Sequence, residues 1–382
     1  MKLKDIVTFV SKSVVPQRGA KYNLYSLPSF DENKSAEVLD GAEIQSNKYD
    51  VPNKCILFNK LNVRFKRVWR INNSDSNKIA STEFLPLVVN EDVVDYQYCY
   101  YLLISDEITN YLCGQNSNTS GSHKRIDPQN FLNIDIHLPK MPIQKAIGKT
   151  LSNIDRKIEL NKRINDNLEA QLRLITSRYI FSCPNLEKKR IGEIATVKAG
   201  GDCPITFSKT RTQKCNIPIF SNGTEDRGLY GFTNKANIEG HSITVAARGT
   251  IGYCERRLMP FVPIIRLLAI TPKEDGAYIY LHQVIRGMKF KKNGSVQQQL
   301  TVPEISFIEI PYPHSSVLHE YNKVASSIVE MIERNISENE ILTKQRDELL
   351  PLLMNGQASV NYHLSALFLS LYYIETNTSF VI

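Results

Sequence analysis

The chain has 382 residues, a length that suggests two or three domains. Apolar residues make up 42% of it and charged residues 23%, so the chain can bury a sizeable core and does not have the composition of a disordered protein. Its 47 lysines and arginines outnumber its 39 acidic residues, and the net charge of +8 favours a polyanionic partner.

The first part of the chain mixes short strands, turns and one helix. Lys54–Phe58 is an apolar run with the length and composition of a buried strand, and Leu102–Leu112 has the pattern of a helix. Turn-forming residues separate such segments, which is typical of a compact domain containing both helices and strands. We therefore predict an α+β domain in this region.

A long helix is predicted next, from a heptad seam that advances by steps of four and three residues. The seam consists of Ile147, Leu151, Ile154, Ile158, Asn161, Asn165, Leu168, Leu172 and Ile175. A stripe this narrow favours another helix as its partner, and Asn at seam positions is a known means of fixing the register of a coiled coil. The alternative is an amphipathic helix that lies on its own domain.

Both patterns return in the second half of the chain. Ser242–Ala246 is a predicted strand and Tyr278–Met288 a predicted helix, with turns at Asn222-Gly223 and Asp275-Gly276. The heptad seam then recurs 174 residues after its first occurrence, with the same two Asn positions. Its members are Tyr321, Ala325, Ile328, Ile332, Asn335, Asn339, Leu342, Arg346 and Leu349.

An internal duplication explains this recurrence. Leu3–Phe9 aligns with Ile191–Val197, and Ile134–Pro139 aligns with Ile308–Pro313, whereas the residues between these segments diverge. Shared ends and divergent interiors indicate a tandem repeat. The predicted fold is α+β, with two globular domains alternating with two long helices that pair as an antiparallel coiled coil, so that a pseudo-two-fold axis relates the repeats.

Basic residues cluster in both interiors. The segment Lys54–Arg70 contains no acidic residue, and Lys60 aligns with Arg248 at an offset of 188. The two clusters predict two contacts on one polyanion, with lysine and arginine on phosphates and glutamine or arginine on base edges. A solvated, charge-balanced face is the alternative for any one cluster. The candidate contacts are Lys60, Arg64, Lys66, Arg67, Lys124, Arg125, Arg248, Arg256, Arg257, Lys291, Lys292, Gln297 and Gln298.

Catalytic signatures are missing from the sequence. It contains neither of the two glycine-rich phosphate-binding strings, and its seven histidines do not form a His-Glu-x-x-His pair. The Asn-Pro-Pro-Tyr string with which an adenine methyltransferase grips a flipped base is also absent. We therefore expect a binding protein with no catalytic residue, no metal site and no cofactor.

The sequence also predicts where the protein resides. Its seven cysteines include no Cys-x-x-Cys pair, which favours a reducing cytoplasm over a secreted disulfide framework. No apolar segment follows Met1, so we expect no signal peptide. The most apolar stretch, Leu364–Ile374, is too short to span a bilayer, and no membrane partner is expected.

The chain resembles the specificity subunit of Type I restriction–modification systems over residues 1 to about 360. The strings that carry the resemblance are Arg248–Gly252, Leu57–Leu61 followed by Ser81–Phe84, Pro142–Gln144 at the start of the first helix, and Leu353–Gly356 at the end of the second. In that family, two target recognition domains alternate with two long helical spacers.

The resemblance implies a subunit without catalytic activity that binds an asymmetric, split site on double-stranded DNA. Its partners would be methyltransferase (modification) subunits, docked on the outer faces of the coiled coil, and restriction subunits that translocate and cut DNA. The predicted segments are target recognition domain 1 at 1–141, the first spacer helix at 142–180, a linker at 181–189, target recognition domain 2 at 190–314, the second spacer helix at 315–356 and a tail at 357–382.

Alternatives to this assignment come from three other classes of protein. The chain could be the specificity module of another restriction–modification type, such as Type IIB or IIG, or a coiled-coil scaffold that does not bind DNA. A stand-alone nuclease or methyltransferase with a fused recognition module is disfavoured by the missing catalytic motifs. The tail beyond Val360 has no counterpart in the first repeat and departs from the family pattern.

Overall fold

The computed structural model of the chain describes residues 1–115, 125–183, 186–290 and 299–360. These residues form two compact units, one made of residues 1–160 together with the segment that starts at Glu338, and the other of residues 161–337. Each unit contains one globular region and part of each of the two long helices. None of the helices in the described ranges combines the length and the apolar character that crossing a membrane requires.

Two sheets form the globular region of the first unit. Its strands are β1 (Val7–Phe9), β2 (Ser13–Val14), β3 (Lys21–Tyr25), β4 (Glu37–Asp40), β5 (Lys48–Asp50), β6 (Lys54–Asn59), β7 (Val68–Asn72), β8 (Lys78–Ala80) and β9 (Phe84–Val89). One sheet has four strands in the order β1-β9-β6-β7, and the other has five in the order β2-β5-β8-β3-β4. The four-stranded sheet is antiparallel throughout.

Helices cover both faces of the four-stranded sheet of the first unit, and the first of them packs through Phe30 on the face opposite to the others. They are α1 (Leu27–Glu32), α2 (Tyr96–Ile104), α3 (Asp106–Gln115), α4 (Pro128–Leu132) and the N-terminal part of α5 (Met141–Thr176), with 3-10 turns at Leu3–Asp5, Gly41–Glu43 and Val63–Phe65. The predicted helix Leu102–Leu112 is wrong in its bounds, because extended backbone at Ser105 separates α2 from α3. The Oγ of Ser105 accepts a hydrogen bond from the backbone N–H of Ile108, in the first turn of α3.

Strand β6 lies at the centre of the first unit and is buried on both faces. Ile56 and Phe58 belong to the cluster that packs against the helices, whereas Cys55 and Leu57 belong to a second cluster with Trp69 on the other face. Successive side chains of a strand point to opposite faces, so one short apolar run supplies both clusters. The predicted strand Lys54–Phe58 is thereby confirmed, and both of its faces contribute to the core.

The second unit contains an equivalent four-stranded sheet in different surroundings. Its strands are β10 (Glu187–Arg190), β11 (Ala195–Ala199), β12 (Ile217–Phe220), β13 (Leu229–Thr233), β14 (Ser242–Val245), β15 (Cys254–Arg257), β16 (Val262–Pro263), β17 (Leu268–Pro272) and β18 (Glu309–Tyr312). The four-stranded sheet has the order β11-β17-β14-β15, a three-stranded sheet has the order β13-β12-β16, and β10 pairs with β18.

Helices pack on this sheet as they do in the first unit. The helices of the second unit are α6 (Ile191–Ile194), α7 (Ala277–Arg286), α8 (Val302–Ser306) and parts of α5 and α9 (Ser315–Met354), with a π-helical turn at Ser177–Phe181 and a 3-10 turn at Glu225–Gly228. The core joins Ile243 and Val245 of β14 to Leu281 of α7 and to Leu172 and Tyr321 of the long helices.

The long helices contact each other inside each unit through the predicted seam. In the first unit, the Asn339 amide donates to the carbonyl of Ile158 at 3.3 Å. In the second, the Asn335 amide donates to the side-chain oxygen of Asn165 at 2.8 Å, and the Asn165 amide donates to the carbonyl of Ile332 at 3.2 Å. Asn161, the fourth predicted register residue, is buried. All eighteen seam positions are buried or half-buried.

Candidate nucleic-acid interface

The connection that leaves the central strand is built alike in the two units. The carbonyl of Lys60, just after β6, accepts a hydrogen bond from the N–H of Ile126, and the carbonyl of Ala247, just after β14, accepts one from the N–H of Leu300, each at 3.0 Å. Because these two carbonyls accept equivalent hydrogen bonds, Lys60 corresponds to Ala247 in the fold. The sequence alignment paired Lys60 with Arg248, which is one residue further along. A displacement of one residue matters in a strand, because it moves a side chain to the opposite face.

In the first unit, the β6–β7 connection presents an exposed aromatic ring among cations. Val63 anchors this turn in the core, whereas Phe65 is 52% exposed. The guanidinium groups of Arg64 and Arg67 lie 4.8 and 4.7 Å from the centre of the Phe65 ring. Lys66, at the end of the turn, adopts a left-handed backbone with φ of 47°. Arg64 and Phe65 are therefore exposed on this turn, whereas Lys66 and Arg67 are half-buried beside them.

Carboxylates compensate most of these cations. Lys66 pairs with Asp106 at 2.5 Å, Arg67 with Asp31 at 2.6 and 2.7 Å, and Arg125 with Glu83 at 2.8 Å. Within the described part of the chain, Lys60 and Arg64 have no carboxylate partner. Lys60 and Arg64 are thus the cations of this turn that are free to contact a polyanion.

Arg248 is the exposed cation of the corresponding connection in the second unit. Its guanidinium donates to the side-chain oxygen of Gln299 at 2.7 Å, a neutral partner that leaves the positive charge uncompensated. Gly249 and Gly252 follow with φ of 67° and 89°, conformations that residues with a Cβ rarely adopt. The turn therefore holds Arg248 at the surface. Gly249 beside it has no side chain, so a ligand could approach its backbone closely.

The structure corrects the prediction for Arg256 and Arg257, which lie in the interior. They are 4% and 6% exposed. Arg256 donates to the Glu169 carboxylate and lies 3.0 Å from Nδ1 of His282. Arg257 donates to Oγ1 of Thr244 at 3.0 Å, and burial lowers its pKa to about 10. Neither arginine is a candidate DNA contact, because both guanidinium groups are buried and bond to other residues of the domain.

Burial also changes the acid–base behaviour of the groups around Arg256. Burial alone would raise the pKa of Glu169, but the positive charges of Arg256 and Arg286, with hydrogen bonds from Arg256 and Gln283, bring it below its usual value. Burial, followed by the positive charges of Arg256 and Arg286, lowers the pKa of His282 well below its ordinary range. The arrangement favours an ionised Glu169 and a neutral His282.

Five other candidate contacts lie outside the described residues. They are Lys124, Lys291, Lys292, Gln297 and Gln298. Residues 361–382 of the predicted tail also lie outside the described ranges.

One basic segment escaped the sequence prediction. Lys209 lies 5.0 Å from the centre of the Tyr230 ring, and Phe207, which is 40% exposed, packs on the same ring at 5.6 Å. Arg211 and Lys214 follow on the same exposed loop. The signal was present in the sequence, because residues 203–224 include no Asp or Glu. Exposed rings with neighbouring cations are typical of nucleic-acid-binding surfaces.

The interface involves no metal centre among the residues that the structure describes, since no group of three His, Cys, Asp or Glu side chains is placed to hold an ion. All seven cysteine thiols are free.

Comparison with known proteins assigns a family to this architecture. The sequence matches the family described as the Type I restriction modification DNA specificity domain over residues 1–170 and 185–350. A Mycoplasma pneumoniae protein named as a type I specificity subunit is 34% identical over 35% of this chain and 42% of its own length. The chain covers 54% of the length of a second relative from that organism. The chain therefore spans about half the length of these two relatives.

Two further likenesses extend over most of the chain. The HindI specificity subunit of a type I restriction enzyme from Haemophilus influenzae is 22% identical over 82% of this chain and 90% of its own length. The type I S subunit from M. genitalium has the same fold, with a TM-score of 0.61 and 15% identity over 93% of this chain and 95% of that one. Since the family match occupies most of both halves, the chain belongs to the family of type I restriction–modification DNA specificity domains.

Proposed function

We propose that this chain is the specificity subunit of a type I restriction–modification system, in which each globular domain reads one half of an asymmetric DNA site. The observation that carries the proposal is the repeated four-stranded sheet, which has the same strand order in both units and is followed in each by an exposed cationic turn. The remaining sheets differ, with five strands in the first unit and three in the second. Different surroundings on equivalent frames suit two unrelated half-sites.

The predicted cations have two different roles in this proposal, depending on whether a carboxylate pairs with them. Among the predicted contacts that the structure describes, Lys60, Arg64 and Arg248 have no carboxylate partner and are free to contact phosphates or base edges. Lys66, Arg67 and Arg125 add positive potential, but their ion pairs hold them in place. Lys124, Lys291, Lys292, Gln297 and Gln298 remain predicted contacts.

The long helices set the gap between the half-sites in the same proposal. The proposed arrangement is an antiparallel coiled coil. Contacts within the second unit support it, because the early residue Tyr321 of α9 bonds to the late residue Thr176 of α5 at 2.9 Å, whereas the later Asn335 bonds to the earlier Asn165. The amide pair between Asn165 and Asn335 fixes the register, since a one-residue slip would leave both polar groups without partners. The equivalent helices and sheets support the proposal that the chain is a pseudo-two-fold tandem repeat.

The remaining chemistry of the system belongs to partner subunits. We propose that modification subunits dock on the outer faces of the helices, where large apolar side chains are exposed, and that restriction subunits complete the assembly. These side chains are Leu160, Leu174, Met331 and Ile341. Exposed apolar groups on a charged helix surface are typical of protein interfaces. In this assembly the chain works in the cytoplasm as a non-catalytic subunit without a cofactor.

Methylome sequencing tests the proposal. The chain is expressed with its modification subunits in a host without endogenous adenine methylation, and the methylated adenines are mapped. We expect one asymmetric motif with two specified halves and a fixed gap, and no motif when this chain is omitted. A fully assembled complex that methylates no motif, or that methylates adenines regardless of sequence, would contradict the proposal and favour a scaffold that does not read DNA.

A domain graft separates the two readers. Replacing the residues between Leu3 and Ile134 by the corresponding interior of another family member should change one half of the motif and preserve the other half and the gap. Simultaneous change of both halves would show that the domains do not read independently.

A further inference from the structure

One amide side chain in the second unit holds two surface turns at once. Asn222 lies two residues after β12. Its Oδ1 accepts the N–H of Ala247 at 2.7 Å, and its Nδ2 donates to the carbonyl of Ile265 at 2.6 Å. The residues that follow these two are both arginines, Arg248 and Arg266. A single side chain thus fixes the backbone immediately before each of two exposed guanidinium groups.

The Ile265–Arg266 turn has a strained backbone. Ile265 has φ of 53° and Arg266 has φ of 64°, the left-handed region that a β-branched residue rarely enters. A residue in this conformation is strained and persists only where its surroundings enforce it. Here the Ile265 and Arg266 N–H groups donate to the carbonyls of Gly201 and Gly200 at 2.8 and 3.0 Å. Together with Asn222, these bonds enforce the turn.

The strained turn faces solvent and not the core. Ile265 is 49% exposed, and Arg266 is exposed as well. Within the described ranges, Arg266 has no carboxylate partner, and Arg248 bonds only to the neutral Gln299. The fold therefore maintains an unfavourable conformation to present a second uncompensated arginine beside the first. A turn with only a structural role would have no need of the charge.

We propose that Arg266 is a DNA-contacting residue of the second domain and that Asn222 is the positioning residue that sets its distance from Arg248. The inference rests on the proposed function and adds to it a residue pair for one half-site. Two guanidinium groups held at a fixed spacing can contact neighbouring phosphates or base edges without losing freedom on binding. Because Asn222 acts through backbone atoms, its own side chain touches no DNA.

Arg266→Ala is the first test, made in the complex assembled with modification subunits and measured on the methylated motif over a range of salt concentrations. We expect binding to weaken about tenfold. A phosphate contact would also lower the salt slope by about one, and a base contact would relax one position of the second half-site. The matched control is Arg190→Ala on β10, which removes one charge from the same unit and should leave motif and affinity unchanged.

Asn222→Asp is the second test, because it keeps the acceptor for Ala247 and removes the donor to Ile265. We expect a loss of affinity close to that of Arg266→Ala, with the first half-site unaffected. Adding Arg266→Ala to the Asn222→Asp variant should then weaken binding less than twofold further, since the guanidinium is already misplaced. A purely structural role of Asn222 would lower the melting temperature while the effect of Arg266→Ala stayed tenfold.

The outcomes distinguish this inference from the function on which it rests. Sequence-specific binding by the unchanged chain together with full affinity of the Arg266→Ala complex would overturn the inference alone. A full tenfold effect of Arg266→Ala in the Asn222→Asp background would overturn the positioning role of Asn222. Absence of any methylated motif with the unchanged chain would overturn the proposed function and this inference with it.

Discussion

The two domains are attached to helix α5 by the same kind of ion pair in different surroundings. In the first unit, Arg70 of β7 reaches Asp155 at 3.5 Å, and the two side chains are 26% and 18% exposed. In the second unit, Arg256 of β15 pairs with Glu169, and these side chains are 4% and 14% exposed. A charge pair in contact with water is screened, whereas a buried one depends entirely on its partner.

The neighbours of each pair increase this difference. Asp155 also accepts from Arg346 at 3.1 Å and from the Tyr101 hydroxyl at 2.5 Å, so it keeps partners if Arg70 is lost. Around Arg256, the buried His282 is the other contact, and Nε of Arg256 has no hydrogen-bond partner within the described residues. Both carboxylates have further partners, since Glu169 also accepts from Arg286 at 3.0 Å and from the Gln283 amide at 3.3 Å. The two attachments differ in burial, because the Arg256 side chain is 4% exposed and the Arg70 side chain 26% exposed. The two domains should therefore respond differently to substitution and to pH.

Removing the arginine from each attachment should show the largest difference. Arg256→Ala removes the buried partner of Glu169, which keeps only the half-exposed Arg286 and Gln283, and should cost about 3 kcal/mol in the free energy of unfolding, the lower end for a broken buried pair. Arg70→Ala removes a partly exposed pair and the contact of the guanidinium with the Tyr100 ring at 4.2 Å, which should cost about 1–2 kcal/mol. Denaturant unfolding gives both values, and hydrogen exchange assigns each loss to one unit. Equal losses in the two variants would refute the contrast.

Arg248→Ala should affect DNA binding where Arg256→Ala affects folding. The side chain is exposed, so we expect little change in melting temperature and a loss of about 1–3 kcal/mol in affinity if it reads a base. Only the second half-site should relax. Lys60→Ala is the counterpart for the first half-site. If either side chain touches phosphate alone, affinity should fall for all sequences and the salt slope by about one. A lower melting temperature with an unchanged salt slope would assign the residue to the fold.

Acid should destabilise the second unit before the first. His282 has a folded pKa below 6.5, so the unfolded chain takes up a proton there that the folded one does not. The stability that neutral His282 provides is complete above pH 6.5 and is lost as the pH falls, by up to about 1.4 kcal/mol per pH unit. Unfolding measured between about pH 6.5 and 5, above the carboxylate range, isolates this effect. A His282→Gln variant should show no such slope, and a slope that persists would point to another group.

Releasing one paired cation of the first domain should have the smallest effect. Glu83→Gln removes the carboxylate that holds Arg125, an arginine that is largely exposed. Since surface pairs add little to stability, the melting temperature should barely change. The freed charge should raise the salt slope of DNA binding by up to about one. Glu91→Gln, which releases Lys54 on the same sheet, is the matched comparison. Equal slopes for Glu83→Gln and the unchanged chain would place Arg125 away from DNA.

The sequence predicted the parts of the fold that depend on local periodicity. The heptad seams and one strand of each four-stranded sheet, predicted at Lys54–Phe58 and Ser242–Ala246, lie where the apolar pattern indicated. Burial of one helix face leaves its trace in every third or fourth residue, and burial of both faces of a strand gives a short apolar run. The break at Ser105 was missed, since the apolar pattern continues through it while one residue takes an extended backbone.

The candidate interface was harder to predict because charge compensation is not local. Asp31 and Asp106 lie 36 and 40 residues from the cations that they pair with, so an acid-free run in the sequence does not remain uncompensated in the fold. The burial of Arg256 depends on α5, 87 residues away in the chain. Arg266 is the only charged residue in the apolar segment Phe261–Ile270, so the sequence gives no sign of a basic cluster there. Its exposure becomes visible only in the folded turn.

The way α9 completes the first unit has a consequence for biosynthesis. Leu353, near the end of this helix, is buried in the same core as Leu3 and Ile136 at the start of the chain. As the nascent polypeptide leaves the ribosome, the N-terminal domain is synthesised first but lacks its last packing partner until the second domain has also emerged. Its apolar surface stays open during that interval, and such species are prone to aggregation and chaperone binding. Ribosome-bound chains that stop before Ser315 should therefore remain protease-sensitive in their first domain.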